Sequence, residues 1–229
     1  MTRRENLEQF CSNWFEKAAT YRMVGLSDYF DKFITIYVVF NRVYIEAARI
    51  LYRERPNEIP LKYRLRGRSR SWLQRDGLSR DAAGQHSVSH PNPTLPVRNE
   101  LAGDRACATE LVVVYSGKAE LQEALRDSCR DSITQLVHLI LHGLIHFHEN
   151  PWTGMPDTGK DRELANEAMG FDPGAILTLI YQTRCNMFHG EKGFEEVQHQ
   201  VLTSEITILD FTTRLVLARV MTDLARLAL

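Results

Sequence analysis

Asp172 to Gly190, DPGAILTLIYQTRCNMFHG, is the stretch around which the rest of the chain can be placed. Asp172 reads as an N-cap and Pro173 occupies the first helical position, where the missing N–H would have had no partner anyway. Gly190 supplies a stop. Ile176, Leu179, Ile180, Thr183 and Met187 recur at the spacing that lays one stripe along a helix, so this stripe is expected to face a core. The last turns carry a different set: Arg184, Asn186 and His189 fall within six residues. Arginine stays charged and its planar fork matches phosphate oxygens, whereas histidine gains and loses its proton near neutral pH. The carbonyl dipoles at a helix C-terminus favour a cationic imidazole by roughly 0.3 to 1 kcal/mol at an exposed position. A fixed cation, an amide and a titratable ring are therefore expected to form one cluster, and two neighbouring positive groups call for an anion between them.

Working outward, the chain predicts helices on both sides. Glu5–Thr20 interleaves charge with Leu7, Phe10, Trp14 and Phe15; Ser27 reads as an N-cap, and Asp28–Arg53 then runs without Gly or Pro as a long central helix. Residues 55–103 change character, with five of the eight prolines and little helical periodicity, and read as one irregular insertion. Within it Lys62, Arg64, Arg66, Arg68 and Arg70 alternate with other residues; an extended chain would put all five on one edge, either as a solvated loop or as a guide for an RNA backbone. Helical patterning resumes at Asp104, with segments around Cys107–Tyr115 and Leu121–Leu125 and a third from Ile133 to near Asn150. Ser204 reads as the cap of a last helix. The expectation is a single all-α domain over 1–229, an antiparallel helical bundle with one long insertion.

Composition excludes several classes. With 44% hydrophobic and 25% charged residues and a formal net charge of -1, the chain is an ordinary globular sequence, so affinity for nucleic acid has to come from a local patch. Cys11, Cys107, Cys129 and Cys185 are scattered without a C-x-x-C pair and read as reduced thiols. No apolar run approaches the roughly 20 residues of a membrane-spanning helix, and no signal-like segment follows Thr2, so the expectation is a cytoplasmic, soluble protein with no membrane association. His138, His142 and His146 fall at i, i+4 and i+8 on one predicted helix face. Gly143 stands where an H-E-x-x-H motif needs its glutamate, so a metal site is the lesser reading beside a polar stripe.

The string Arg184-Cys185-Asn186-Met187-Phe188-His189-Gly190 resembles the R-x4-H motif of the HEPN superfamily, and Phe30–Tyr44, with Asn41 between Phe40 and Tyr44, is similar to the amphipathic second helix of many of its members. The resemblance implies a HEPN-like bundle and metal-independent endoribonuclease activity without a cofactor, in a toxin or anti-phage defence setting. Ribose 2′-OH attack would leave a 2′,3′-cyclic phosphate and a 5′-OH. It implies His189 as general acid or base, Arg184 on the phosphoryl oxygens and Asn186 orienting ring or phosphate, in a composite site across a homodimer. Asn41 is expected either to support His189 or to satisfy a neighbouring backbone. Glu191 stands two residues past the histidine, where toxins paired with a nucleotidyltransferase antitoxin carry a tyrosine; it places a carboxylate beside the cluster and argues against that mode of control, leaving some other antitoxin or regulatory partner open. The alternative is a noncatalytic HEPN-type module that binds a nucleotide or a protein.

Overall fold

The computed structural model describes residues 1–64, 101–150, 152–189 and 195–228, with the side chains of 187–189 and 195–196 left out of the description. Among the described residues the fold is all-α. Helix α1 is Arg3–Ala19, α2 is Leu26–Glu54, and α3 covers residues 104–116, with a wider π-type turn at Cys107–Leu111 in its middle. Helix α4 is Lys118–Leu141, α5 Thr158–Met169, α6 Pro173–His189 and α7 Glu195–Leu227. None of the described helices is long and apolar enough to cross a membrane.

Local chemistry accounts for the helix ends. Thr2 and Glu5 form a capping box at the start of α1, each side chain satisfying a backbone N–H that the first turn leaves without a partner. Asp172 caps α6 as expected, accepting from the Ala175 N–H at 3.0 Å. Burial alone would raise the Asp172 pKa, but the Lys118 ammonium and the Ala175 N–H more than offset this and hold its carboxyl below the usual range. Gly117, at φ +78°, makes the turn between α3 and α4, a backbone region that side-chain-bearing residues seldom enter.

The core is built on α2, α4 and α7. Phe33, Ile36, Phe40, Tyr44 and Leu51 of α2 are fully or almost fully enclosed, as are Leu121, Leu125 and Ile133 of α4 and Ile208, Leu209 and Val220 of α7. Burying such side chains stabilises a fold by about 1.5–3 kcal/mol each relative to exposure. Helices α1 and α2 run antiparallel, because Arg3 reaches Glu46 while Tyr21 reaches Thr35. Helices α4 and α7 do the same, with Gln135 bonded to Ser204 at one end and Glu120 to Arg219 at the other. Helix α6 lies on this frame with Ile176, Leu179, Ile180 and Thr183 buried, the first four positions of the expected stripe.

Four boundaries differ from the sequence expectation. Ser27 is no cap: α2 begins before it, at Leu26, with Gly25 at the N-cap position. The second and third segments are one helix, α4, and it stops at Leu141 rather than near Asn150, because Gly143 turns the chain at φ +68°. Ser204 is no cap: α7 begins at Glu195, and the Ser204 hydroxyl instead donates to Gln135 Oε1 at 3.1 Å inside the α4–α7 contact. The start of the basic stretch is not extended. Residues Leu61–Arg64 form a helical turn, where Lys62 pairs with Glu110 at 2.7 Å and Arg64 donates to the backbone carbonyls of Ile59 and Asn57. Arg66, Arg68 and Arg70 lie outside the described residues.

Candidate anion-binding groove and motif helix

Two residues along an α-helix turn through about 200°, so Arg184 and Asn186 necessarily leave α6 on opposite sides. The structure follows this. The Arg184 guanidinium lies over the Tyr37 ring of α2, 5.7 Å from its centroid. The Asn186 amide faces the other way. Its Nδ2 donates to the Phe147 carbonyl at 3.2 Å and its Oδ1 accepts from Gln182 Nε2 at 3.0 Å. The single cluster expected from the sequence is thus divided: the arginine faces α2, and the amide fastens α6 to the loop after α4. His189 closes α6, but its side chain, like Glu191 entirely, lies outside the described residues.

On the arginine side a groove of about 290 Å³ runs between α1, α2 and α6, lined among others by Phe10, Tyr37, Asn41, Arg42, Arg49 and Arg184. Asn41 reaches it because Phe40 and Tyr44, its neighbours in the F-N-x-x-Y pattern, turn inward. Both are buried with rings 5.1 Å apart, and the Tyr44 hydroxyl donates to Asp104 at the start of α3. Asn41 itself is half-buried, and its side chain makes no hydrogen bond among the described residues. Tyr37 is buried, and its hydroxyl has no hydrogen-bond partner among the described residues; desolvation, with the Asp104 carboxylate adding to it, raises its pKa well above the ordinary phenol range.

Below the groove sits a carboxylate that sequence reading passed over. Glu46 is fully buried, accepts from Arg3 Nε at 2.8 Å and from Arg49 at 2.9 Å, and forms an ion pair with Arg42 at 3.1 Å. Its signal in the sequence was available: a glutamate in the apolar run Val43-Tyr44-Ile45-Glu46-Ala47-Ala48, flanked at i−4 and i+3 by arginines. Burial, with Arg3 and Arg42 alongside, presses the Arg49 pKa below its usual value.

On the amide side lies a second feature that was missed. His148 and Asp161 are both buried, and His148 Nδ1 meets Asp161 Oδ1 at 2.7 Å. The other carboxylate oxygen of Asp161 accepts from the Phe147 N–H at 2.9 Å, so one side chain pins two consecutive residues, the first of which Asn186 grips. Because α4 ends at Leu141, the expected three-histidine face is interrupted. The His138 and His142 rings lie 4.1 Å apart, tilted by 45°, while His146 lies beyond the helix end. Among the described residues no three His, Cys, Asp or Glu side chains gather as metal ligands.

A third buried acid, Glu205 of α7, accepts from the Thr183 hydroxyl at 2.7 Å directly beneath the start of the motif. Its other oxygen has no partner among the described residues, and burial raises its pKa to about 8.

No family model matches the sequence, and no curated protein or solved structure matches it either.

Proposed function

We propose that the chain is a metal-independent endoribonuclease of the HEPN type, working as a homodimer on RNA in a toxin or anti-phage defence setting. The observation that carries this reading is the groove: Asn41 of α2 and Arg184 of α6, singled out separately from distant stretches of sequence, line the same opening, and Arg42 and Arg49 line it with them. A groove lined by fixed cations and an amide without a partner among the described residues suits a phosphodiester, whose charge grows on the phosphoryl oxygens as the transition state forms.

In the reaction the 2′-OH loses its proton as its oxygen bonds to phosphorus, the bond from phosphorus to the 5′ oxygen breaks, and that oxygen takes up a proton. Arg184 neutralises the phosphoryl oxygens. His189, at the end of the same helix, handles one of the two protons, a role worth about 10²–10⁴-fold. A second protomer supplies the other histidine. Asn186 stays out of the chemistry and holds the helix end.

A second reading, a noncatalytic module that binds a nucleotide or a protein, is favoured by that same commitment of Asn186, since one expected member of the site is occupied within the fold. RNA incubated with the purified protein in excess EDTA separates the two. New 2′,3′-cyclic phosphate and 5′-OH ends support the first. Binding without cleavage supports the second, and cleavage that EDTA abolishes contradicts both.

A further inference from the structure

One buried carboxylate needs one guanidinium to neutralise it, yet Glu46 holds three. Arg42 and Arg49 pair with it at the spacing of helix-stabilising ion pairs, but Arg3 is not placed for helix stability. Arg3 stands in the first turn of α1, where the helix dipole disfavours positive charge. Arg49 has a buried Nε with no acceptor among the described residues, on a guanidinium that also lines the groove. Arg42 and Arg49 are two turns apart on α2 and so project from the same face, toward the groove that Arg184 enters from α6. The Glu46 carboxylate holds one nitrogen of each guanidinium, and Arg42 keeps more than a third of its side chain exposed to solvent.

We propose that Arg42 and Arg49, held in place by Glu46, form a second phosphate subsite in the groove they share with Arg184 of the R-x4-H motif, one that grips a phosphate next to the one being cleaved. This rests on the ribonuclease reading for its placement along a strand, but not for the binding itself. Guanidinium groups held in place beforehand present charged donors without having to be ordered on binding, a gain that a carboxylate buried beneath them supplies. The site would make the enzyme prefer strands carrying a phosphate beyond the scissile linkage over a bare dinucleotide.

The test uses a 2′-deoxy dinucleotide, which has no 2′-hydroxyl and cannot be cut, with and without a terminal phosphate. The wild-type chain should bind the phosphorylated probe about tenfold more tightly, as expected for one charge-assisted contact. Arg42→Gln should abolish that preference and Arg42→Lys should retain part of it, with thermal unfolding of each variant confirming that the fold is intact. Arg49→Lys, which keeps the charge but loses the fork, should weaken it as well. Equal affinity of the wild-type chain for both probes overturns the site, as does an undiminished preference in Arg42→Gln. Inorganic phosphate that displaces the probe at equal concentration overturns the placement on a strand and assigns the site to a free anion. A chain that prefers the phosphorylated probe yet cuts no RNA ends the ribonuclease reading and leaves this site standing.

Discussion

Asn186 in the last turn of α6 donates to the carbonyl of Phe147 at 3.2 Å, and so ties the motif helix to a loop that Asp161 of α5 holds from behind. The end of α6 is thereby fixed from two sides, by Tyr37 beneath Arg184 and by this loop beneath Asn186. Asn186→Ala removes two hydrogen bonds and leaves a carbonyl without its donor. It should lower stability by about 1 kcal/mol, read as a shift of the urea midpoint. An unmoved midpoint would mean that the amide contributes nothing to fastening the helix.

Asp161 carries more. Its loss strands both the Phe147 N–H and the His148 Nδ1 in a buried setting. Asp161→Ala is expected to cost roughly 2 to 5 kcal/mol. Hydrogen exchange should locate the damage in the segment from Leu144 to Asp157 and at the end of α6; protection unchanged there would contradict the linkage.

Glu205 makes stability depend on pH in the direction opposite to a salt-bridged acid. Its folded pKa of about 8 stands above the ordinary 4.5, because burial without a cation penalises the charged form. The folded chain therefore holds a proton that the unfolded chain has released. This contribution is fully present below the unfolded value and is lost as pH rises from there toward about 8. The slope is about 1.4 kcal/mol per pH unit inside that window. Glu205→Gln should flatten it, which chemical denaturation at pH 5, 6.5 and 8 can check; an identical slope in the variant would assign the dependence to other groups.

Removing the carboxylate beneath the groove leaves three guanidinium groups crowded together. Glu46→Gln is expected to destabilise the fold by about 3 to 5 kcal/mol. Added sulfate should restore part of that by occupying the arginines, so the thermal midpoint should rise with sulfate more steeply in the variant than in the wild-type chain. Parallel sulfate curves would show that the arginines do not gather an anion.

The long amphipathic patterns were legible because they are local. The 3.6-residue stripe on α6, its Asp172–Pro173 start, and the Gly- and Pro-free run of α2 each needed only their own residues to be read. What depended on partners was not legible. Ser204 looks like a cap until Gln135 of α4 is placed against it. The separation of Arg184 from Asn186 follows from helix geometry, but where each side chain ends depends on Tyr37 and Phe147, residues far away in the chain. The His148–Asp161 pair joins a loop to a helix that no strong sequence stripe marked, and no periodicity could have paired them. Likewise the three arginines on Glu46 come from two helices, and only Arg42 and Arg49 could be matched to it by spacing.

The most direct test of the account is the rate of RNA cleavage in excess EDTA by the wild-type chain, His189→Ala and Arg184→Ala, with each variant confirmed folded by its thermal midpoint. The account predicts cleavage by the wild-type chain and a loss of at least about 10²-fold in each variant. Cleavage by either variant at the wild-type rate would contradict it.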